Sequence, residues 1–120
     1  MFIDEYRDFC LAFPGVTEAF PFDQKTLVFK VMNKMFALTD VDSFDFINLR
    51  SNEERCIDLR ERYSGIKPGY HMNKRLWNSV YTDGSVDDDL IFQLIKESYN
   101  TIVESLPKKV KAELEEMTKE

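Results

Sequence analysis

The chain has 120 residues, a length that fits one domain over 1–120 and buries roughly two-thirds of its unfolded surface without disulfide or metal support. With 43% hydrophobic residues, ten Phe and five Tyr, it is a globular sequence and not a disordered tail. Sixteen Lys and Arg against twenty-two Asp and Glu leave a net charge of −6, which excludes a protein whose whole surface grips nucleic acid or anionic lipid.

From Phe2 to Phe13, apolar residues Ile3, Tyr6, Phe9, Cys10 and Phe13 recur at helical spacing while Asp4, Glu5, Arg7 and Asp8 take the other face. Pro14-Gly15 closes this helix. Thr17 to Phe22 alternates in part, but Pro21 restricts it to an edge strand or an extended lead-in. Leu27 to Met32 and Met35 to Asp40 read as strands joined by a two-residue turn at Asn33-Lys34, where Asn33 accepts positive φ. A third strand over Phe44 to Arg50 alternates Asp45, Ile47 and Leu49 with Phe46, Asn48 and Arg50, completing an antiparallel meander.

Ser51 with Glu54 has the spacing of a capping box, so a helix is expected from about Asn52 to Arg62, with Cys56, Leu59 and Tyr63 as its buried stripe. Leu76 to Tyr81 returns as a strand in which Trp77, Ser79 and Tyr81 share a face, and Asp83-Gly84 turns the chain. Ser85 with Asp88 repeats the capping pattern ahead of a long helix whose core stripe is Leu90, Ile91, Leu94, Ile95, Ile102 and Val103. Pro107 opens a peripheral final helix to about Thr118. The order α-β-β-β-α-β-α-α is an α+β arrangement, an antiparallel sheet with helices packed on one face.

Charge is segregated along this order. Tyr63 to Tyr81 carries three cations, Lys67, Lys74 and Arg75, and no acid, so the other 101 residues carry −9 of the overall −6. The same stretch, GIKPGYHMNKRLWNSV, holds the only His and the only Trp. Pro68-Gly69 favours a type II turn that would present the residues after it. Tyr70, His71, Asn73, Lys74 and Arg75 then combine a stacking ring, hydrogen-bond donors and long cations, a mixture suited to phosphates and exposed bases.

Other chemistry is thin. His71 lacks a Ser, Cys or Asp partner in a nucleophile motif, so no catalytic residue is assigned and no enzyme is expected. No cofactor is implied and no metal ligand is assigned. Asp4, Glu5 and Asp8 read as a solvated helix face, and Asp87, Asp88 and Asp89 as anions offsetting a helix dipole. Cys10 and Cys56 stand far apart without metal-ligand spacing and read as two buried thiols in a reducing compartment. The charged N-terminus is no signal peptide and no apolar run reaches about 18 residues, so the default expectation is a cytoplasmic protein without a membrane partner.

Pro14-Gly15, TEAFPFD at Thr17 to Asp23, VFKV and KMFAL between Val28 and Leu38, the PGYHMNK block with Trp77 behind it, and ESYNTIVESLPKK together resemble the MmcQ/YjbR-like proteins over nearly the whole chain. The resemblance implies a small α+β domain similar to the bacterial frataxin CyaY, in a family described as predicted DNA-binding with a double-wing arrangement. Carried over, it points to Lys67, Tyr70, His71, Asn73, Lys74, Arg75, Trp77 and Asn78 as nucleic-acid-binding residues. The leading expectation is therefore a non-enzymatic module that binds DNA weakly and salt-sensitively. The rival is an adaptor in which the same loop binds an acidic protein or an anionic small molecule. Iron binding by an Asp4, Glu5 and Asp8 ridge, suggested by the likeness to frataxin, ranks third because a fold does not transmit a function.

Overall fold

In the computed structural model, which describes residues 1–119, helix α1 (Ile3–Leu11) buries Tyr6 and Cys10 and ends ahead of Pro14-Gly15. Gly15 stands at φ +73°, and a Cβ there would lie 2.6 Å from Leu114 Cδ1. The missing side chain is what lets the last helix seat its one buried residue, Leu114, beside the start of the sheet.

Six strands follow: β1 (Val16–Ala19), β2 (Thr26–Val31), β3 (Lys34–Asp40), β4 (Phe46–Arg50), β5 (Ile66–Pro68) and β6 (Trp77–Tyr81). They form one antiparallel sheet in the order β1-β2-β3-β4-β6-β5. Helix α2 (Glu53–Arg62) lies between β4 and β5, and α3 (Asp88–Ser105) and α4 (Lys108–Thr118) close the chain. The α+β class with helices on one face holds, but the element order gains two short edge strands. β1 forms because Pro21 lies beyond its last paired residue and removes no ladder hydrogen bond. β5 leaves no signal in the sequence because three residues, one of them Pro68, are too few to show a strand period.

Leu27, Phe29, Ala37, Ile47, Leu49 and Val80 face the helices and join Tyr6, Leu59, Ile91, Ile95 and Ile102 in the main core. A bulge between Phe29 and Lys30 makes Phe36 an extra residue in β3, so that the consecutive Phe36 and Ala37 both enter that core. Ser98 ties α3 to the sheet: its hydroxyl donates to the Phe36 carbonyl at 2.5 Å and accepts the Arg50 N–H at 2.9 Å. Cys10 and Cys56 are both buried and free, and burial pushes both thiols up, so neither offers a thiolate.

Three local expectations shift. The β2–β3 turn residues are Met32 and Asn33, both at positive φ, and Lys34 already pairs with Val31. Asn52, not Ser51, caps α2, its side chain accepting the Arg55 N–H at 2.8 Å. Asp87 precedes α3, while Ser85 instead donates to the Asp83 carboxylate at 2.6 Å.

Candidate functional site

The face of the sheet away from the helices is where the 69–76 loop lands. Val28, Leu38, Asn48, Ser79 and Lys67 occupy successive register positions across five strands, so this row shares that face. Trp77 packs there with Val28 and Leu38, joined by Met35, Met72 and Leu76 in a small second core. Trp77 is only 8% exposed, which makes it the anchor of the loop.

Two polar residues of the row fix the loop backbone. Ser79 Oγ donates to Asn48 Oδ1 at 2.5 Å and accepts the Tyr70 N–H at 2.9 Å, while Asn48 Nδ2 donates to the Tyr70 carbonyl at 3.1 Å. The loop's other end is held from α2: Arg60 Nε donates to Asn78 Oδ1 at 2.6 Å, and its Nη2 donates to the carbonyls of Trp77 at 3.2 Å and of Lys74.

The Pro68-Gly69 pair does not make the expected type II turn, since Gly69 is not at positive φ. Its lack of a side chain serves close approach: a Cβ would lie 2.8 Å from Trp77 Cβ and 2.9 Å from the Trp77 carbonyl oxygen. The left-handed residue is His71, at φ +58°, a conformation that His tolerates better than most side chains. This bend packs the His71 ring against Tyr70, centroids 4.0 Å apart and planes tilted by 58°, with Phe46 edge-on to Tyr70 at 5.9 Å.

Between this loop and the 20–25 segment the sheet face carries a groove of about 680 Å³. Met35, Leu38 and Met72 give it apolar surface, and Phe22, Phe46 and Tyr70 give it rings. Phe22 and Tyr70 are 64% and 59% exposed, so much aromatic surface meets solvent. His71 and Asn73 contribute hydrogen-bonding groups, Asn48 lies at the floor with its amide spent on Ser79 and Tyr70, and Asp23 and Asp40 are the carboxylates that line it.

Among the described residues, neither Lys nor Arg lines the groove. Arg75 pairs with Glu53 at 2.9 Å and holds that carboxyl below the usual carboxylate range. Lys74 curls back, its Nζ donating to the Gly69 carbonyl at 3.2 Å, and Lys67 Nζ sits 5.0 Å from the Tyr81 ring centroid. The structure thus brings Tyr70, His71 and Asn73 together on the groove and places Lys67, Lys74 and Arg75 outside it. Asn78, 2% exposed, lies under α2 with its Nδ2 donating to the Cys56 carbonyl.

Sequence reasoning missed the sheet floor beside the loop. Phe46 and Asn48 were legible as the second face of a strand, yet nothing in the pattern said that face stays uncovered. Arg60 gave no signal because a cation on an amphipathic helix reads as solvated.

Residues 11–101 match the family model YjbR, a span that contains every residue lining the groove. The chain belongs to the YjbR family. It is 38% identical over 100 residues to YbdF of Escherichia coli O157:H7, covering 82% of each chain. It is 34% identical over 108 residues to YjbR of Escherichia coli K12, covering 89% of this chain and 92% of that one. The crystal structure of protein DR2400 from Deinococcus radiodurans matches with a TM-score of 0.86 at 38% identity, over 93% of this YjbR-family chain and 86% of the other. A Pseudomonas syringae protein matches at 0.69 and 26% identity, over 82% and 96%.

Among the described residues of this YjbR-family protein, no three His, Cys, Asp or Glu side chains gather as a metal site. Glu5 accepts the Phe2 N–H at 3.1 Å, so the iron reading gains no support from α1. No described helix is long and apolar enough to cross a membrane.

Proposed function

We propose that this YjbR-family protein is a binding module whose working surface is the groove on the open sheet face, and that it takes a compact ligand with a flat or apolar body. The observation that carries this reading is the groove itself: exposed rings and apolar side chains face solvent beside a few placed polar groups, the usual make-up of a ligand site. The loop bordering it is tied down at both ends, so the surface is formed before a ligand arrives.

A second reading, DNA binding by the loop, is supported by the exposure of the Arg75 side chain, 75%, beside the exposed ring of Tyr70. Lys67, Lys74 and Arg75 would supply at most a few phosphate contacts, each adding roughly −0.9 to the log-log salt slope. The Glu53 partner and the carboxylates at the groove weigh against it.

Trp77 fluorescence separates the two readings, because Trp77 packs against Leu38 and Met72 of the groove. Titration with phenylbutanol is expected to change it saturably at millimolar concentration, and Tyr70→Ala to weaken the response. A short duplex that binds more tightly at low salt, and loses binding on Lys74→Ala or Arg75→Ala, would favour DNA instead.

A further inference from the structure

The groove has a sign. Among the described residues its charged lining groups are Asp23 and Asp40; no Lys or Arg lines it, and the charge of Lys25 acts on Asp23 from outside the lining. They stand at one end of the sheet: the Thr26 N–H donates to Asp23 Oδ1 at 2.7 Å, and Thr26 is the register partner of Asp40. Among the described residues neither carboxylate has a cation within ion-pair distance; the nearby Lys25 reaches Asp42 at 3.7 Å. The backbone N–H groups of Thr26 and Lys25 hold Asp23 below the usual carboxylate range, so it stays ionised in neutral solution.

The aromatic side chains point the same way. The faces of Phe22, Phe46 and Tyr70 are electron-rich, and a cation seated over such rings gains attraction that an anion or a neutral group does not. Asp40 Oδ1 already accepts the N–H groups of Asp42 and Ser43, which fixes its carboxylate in place. Overall charge of −6 adds a weak attraction for cations and repels anions.

Resting on the reading of the groove as a ligand site, we infer that its ligand is a small organic cation: an amine or quaternary ammonium at the Asp23 and Asp40 end, with a flat or apolar body along Leu38, Phe46 and Tyr70. The complementarity is the reverse of what a phosphate or carboxylate ligand needs, so the anionic small molecule expected from the cationic loop is not the one this groove fits.

The test is amide chemical-shift mapping of the full chain with three probes of matched length, phenylbutylamine, phenylbutanol and phenylbutyrate. The amine is expected to bind about tenfold more tightly than the alcohol, as a partly desolvated cation beside carboxylates and rings should. The butyrate is expected to bind weakest, with shifts centred on Asp23 to Thr26 and on Tyr70 to Asn73. Asp40→Asn keeps an oxygen for the Asp42 and Ser43 amides and removes only charge; it is expected to shrink the amine preference without changing the thermal midpoint. Equal binding of amine and alcohol, or tighter binding of the butyrate, with shifts inside the groove, would overturn the inference and leave the groove reading standing. A lysine-rich peptide that outcompetes the amine would overturn it in favour of a protein partner. No shifts in the groove with any probe would overturn both.

Discussion

Asn48 and Ser79 are register partners on adjacent strands, and Ser79 Oγ donates to Asn48 Oδ1 at 2.5 Å. Both are buried on the sheet face that carries the small second core, where a polar side chain is tolerated only if its hydrogen bonds are met. Their remaining capacity goes to the N–H and C=O of Tyr70. The pair converts a sheet surface into the fixed floor of a loop, and the groove exists because that loop stands where it does.

Removing one member should expose the dependence. Ser79→Ala leaves Asn48 Oδ1 and the Tyr70 N–H without partners, and we predict a loss of about 1–3 kcal/mol, the desolvation cost of orphaned polar groups. Urea denaturation measures it, and the Tyr70 amide should exchange faster in the variant. In a double-mutant cycle Asn48→Ala and Ser79→Ala should cost less together than their sum. Strict additivity with unchanged Tyr70 exchange would contradict the assignment.

Arg60 reaches three acceptors around the end of the loop with one planar group. Arg60→Met is predicted to cost about 1.5–3 kcal/mol, the range for hydrogen bonds from a charged donor. Arg60→Lys should recover little of it, because an ammonium lacks the fork. The Trp77 emission of both variants reports whether the loop has moved; a Lys variant indistinguishable from the parent would show that charge alone suffices.

Gly69→Ala places a Cβ against the Trp77 backbone, which cannot swing aside as a long side chain can. A destabilisation of about 1–3 kcal/mol is expected from overpacking, seen as a lower thermal midpoint and a displaced Tyr70 resonance. A neutral result would mean that β5 and β6 do not approach as closely as described.

Acid should weaken the groove end of the sheet. Asp23 has a carboxyl lowered first by the Thr26 N–H and then by that of Lys25, so its ionised form is favoured in the folded state. The sign follows: its contribution is complete above the unfolded carboxylate value of about 3.9 and disappears as pH falls through the lower folded value. Carboxyl NMR titration should place the Asp23 midpoint below that reference, and Asp23→Asn should flatten the stability-versus-pH curve below about pH 4. A midpoint at or above the reference would contradict the hydrogen-bonding account.

Much of this fold was legible in the sequence, and the reasons are local. Leu90 to Val103 keeps a 3.6-residue period long enough to mark α3, and the alternation over Phe46 to Arg50 marks β4. β5 escaped because three residues cannot display a period. The turn at Gly69 is ambiguous in the sequence because Pro-Gly has two uses, positive φ and close approach, and only the position of Trp77 decides between them. At the site, Tyr70, His71 and Asn73 stood out by composition, whereas the fate of Arg75 depended on Glu53, twenty-two residues earlier in the chain. Charge counted along a sequence does not see pairings made across a fold.

The central claim is that the groove beside Tyr70 receives a ligand, and intermolecular NOEs from bound phenylbutanol test it most directly. The account predicts contacts from the phenyl ring to Leu38, Phe46 and Tyr70. NOEs confined to side chains elsewhere on the protein, with none to these three at saturating probe, would contradict it.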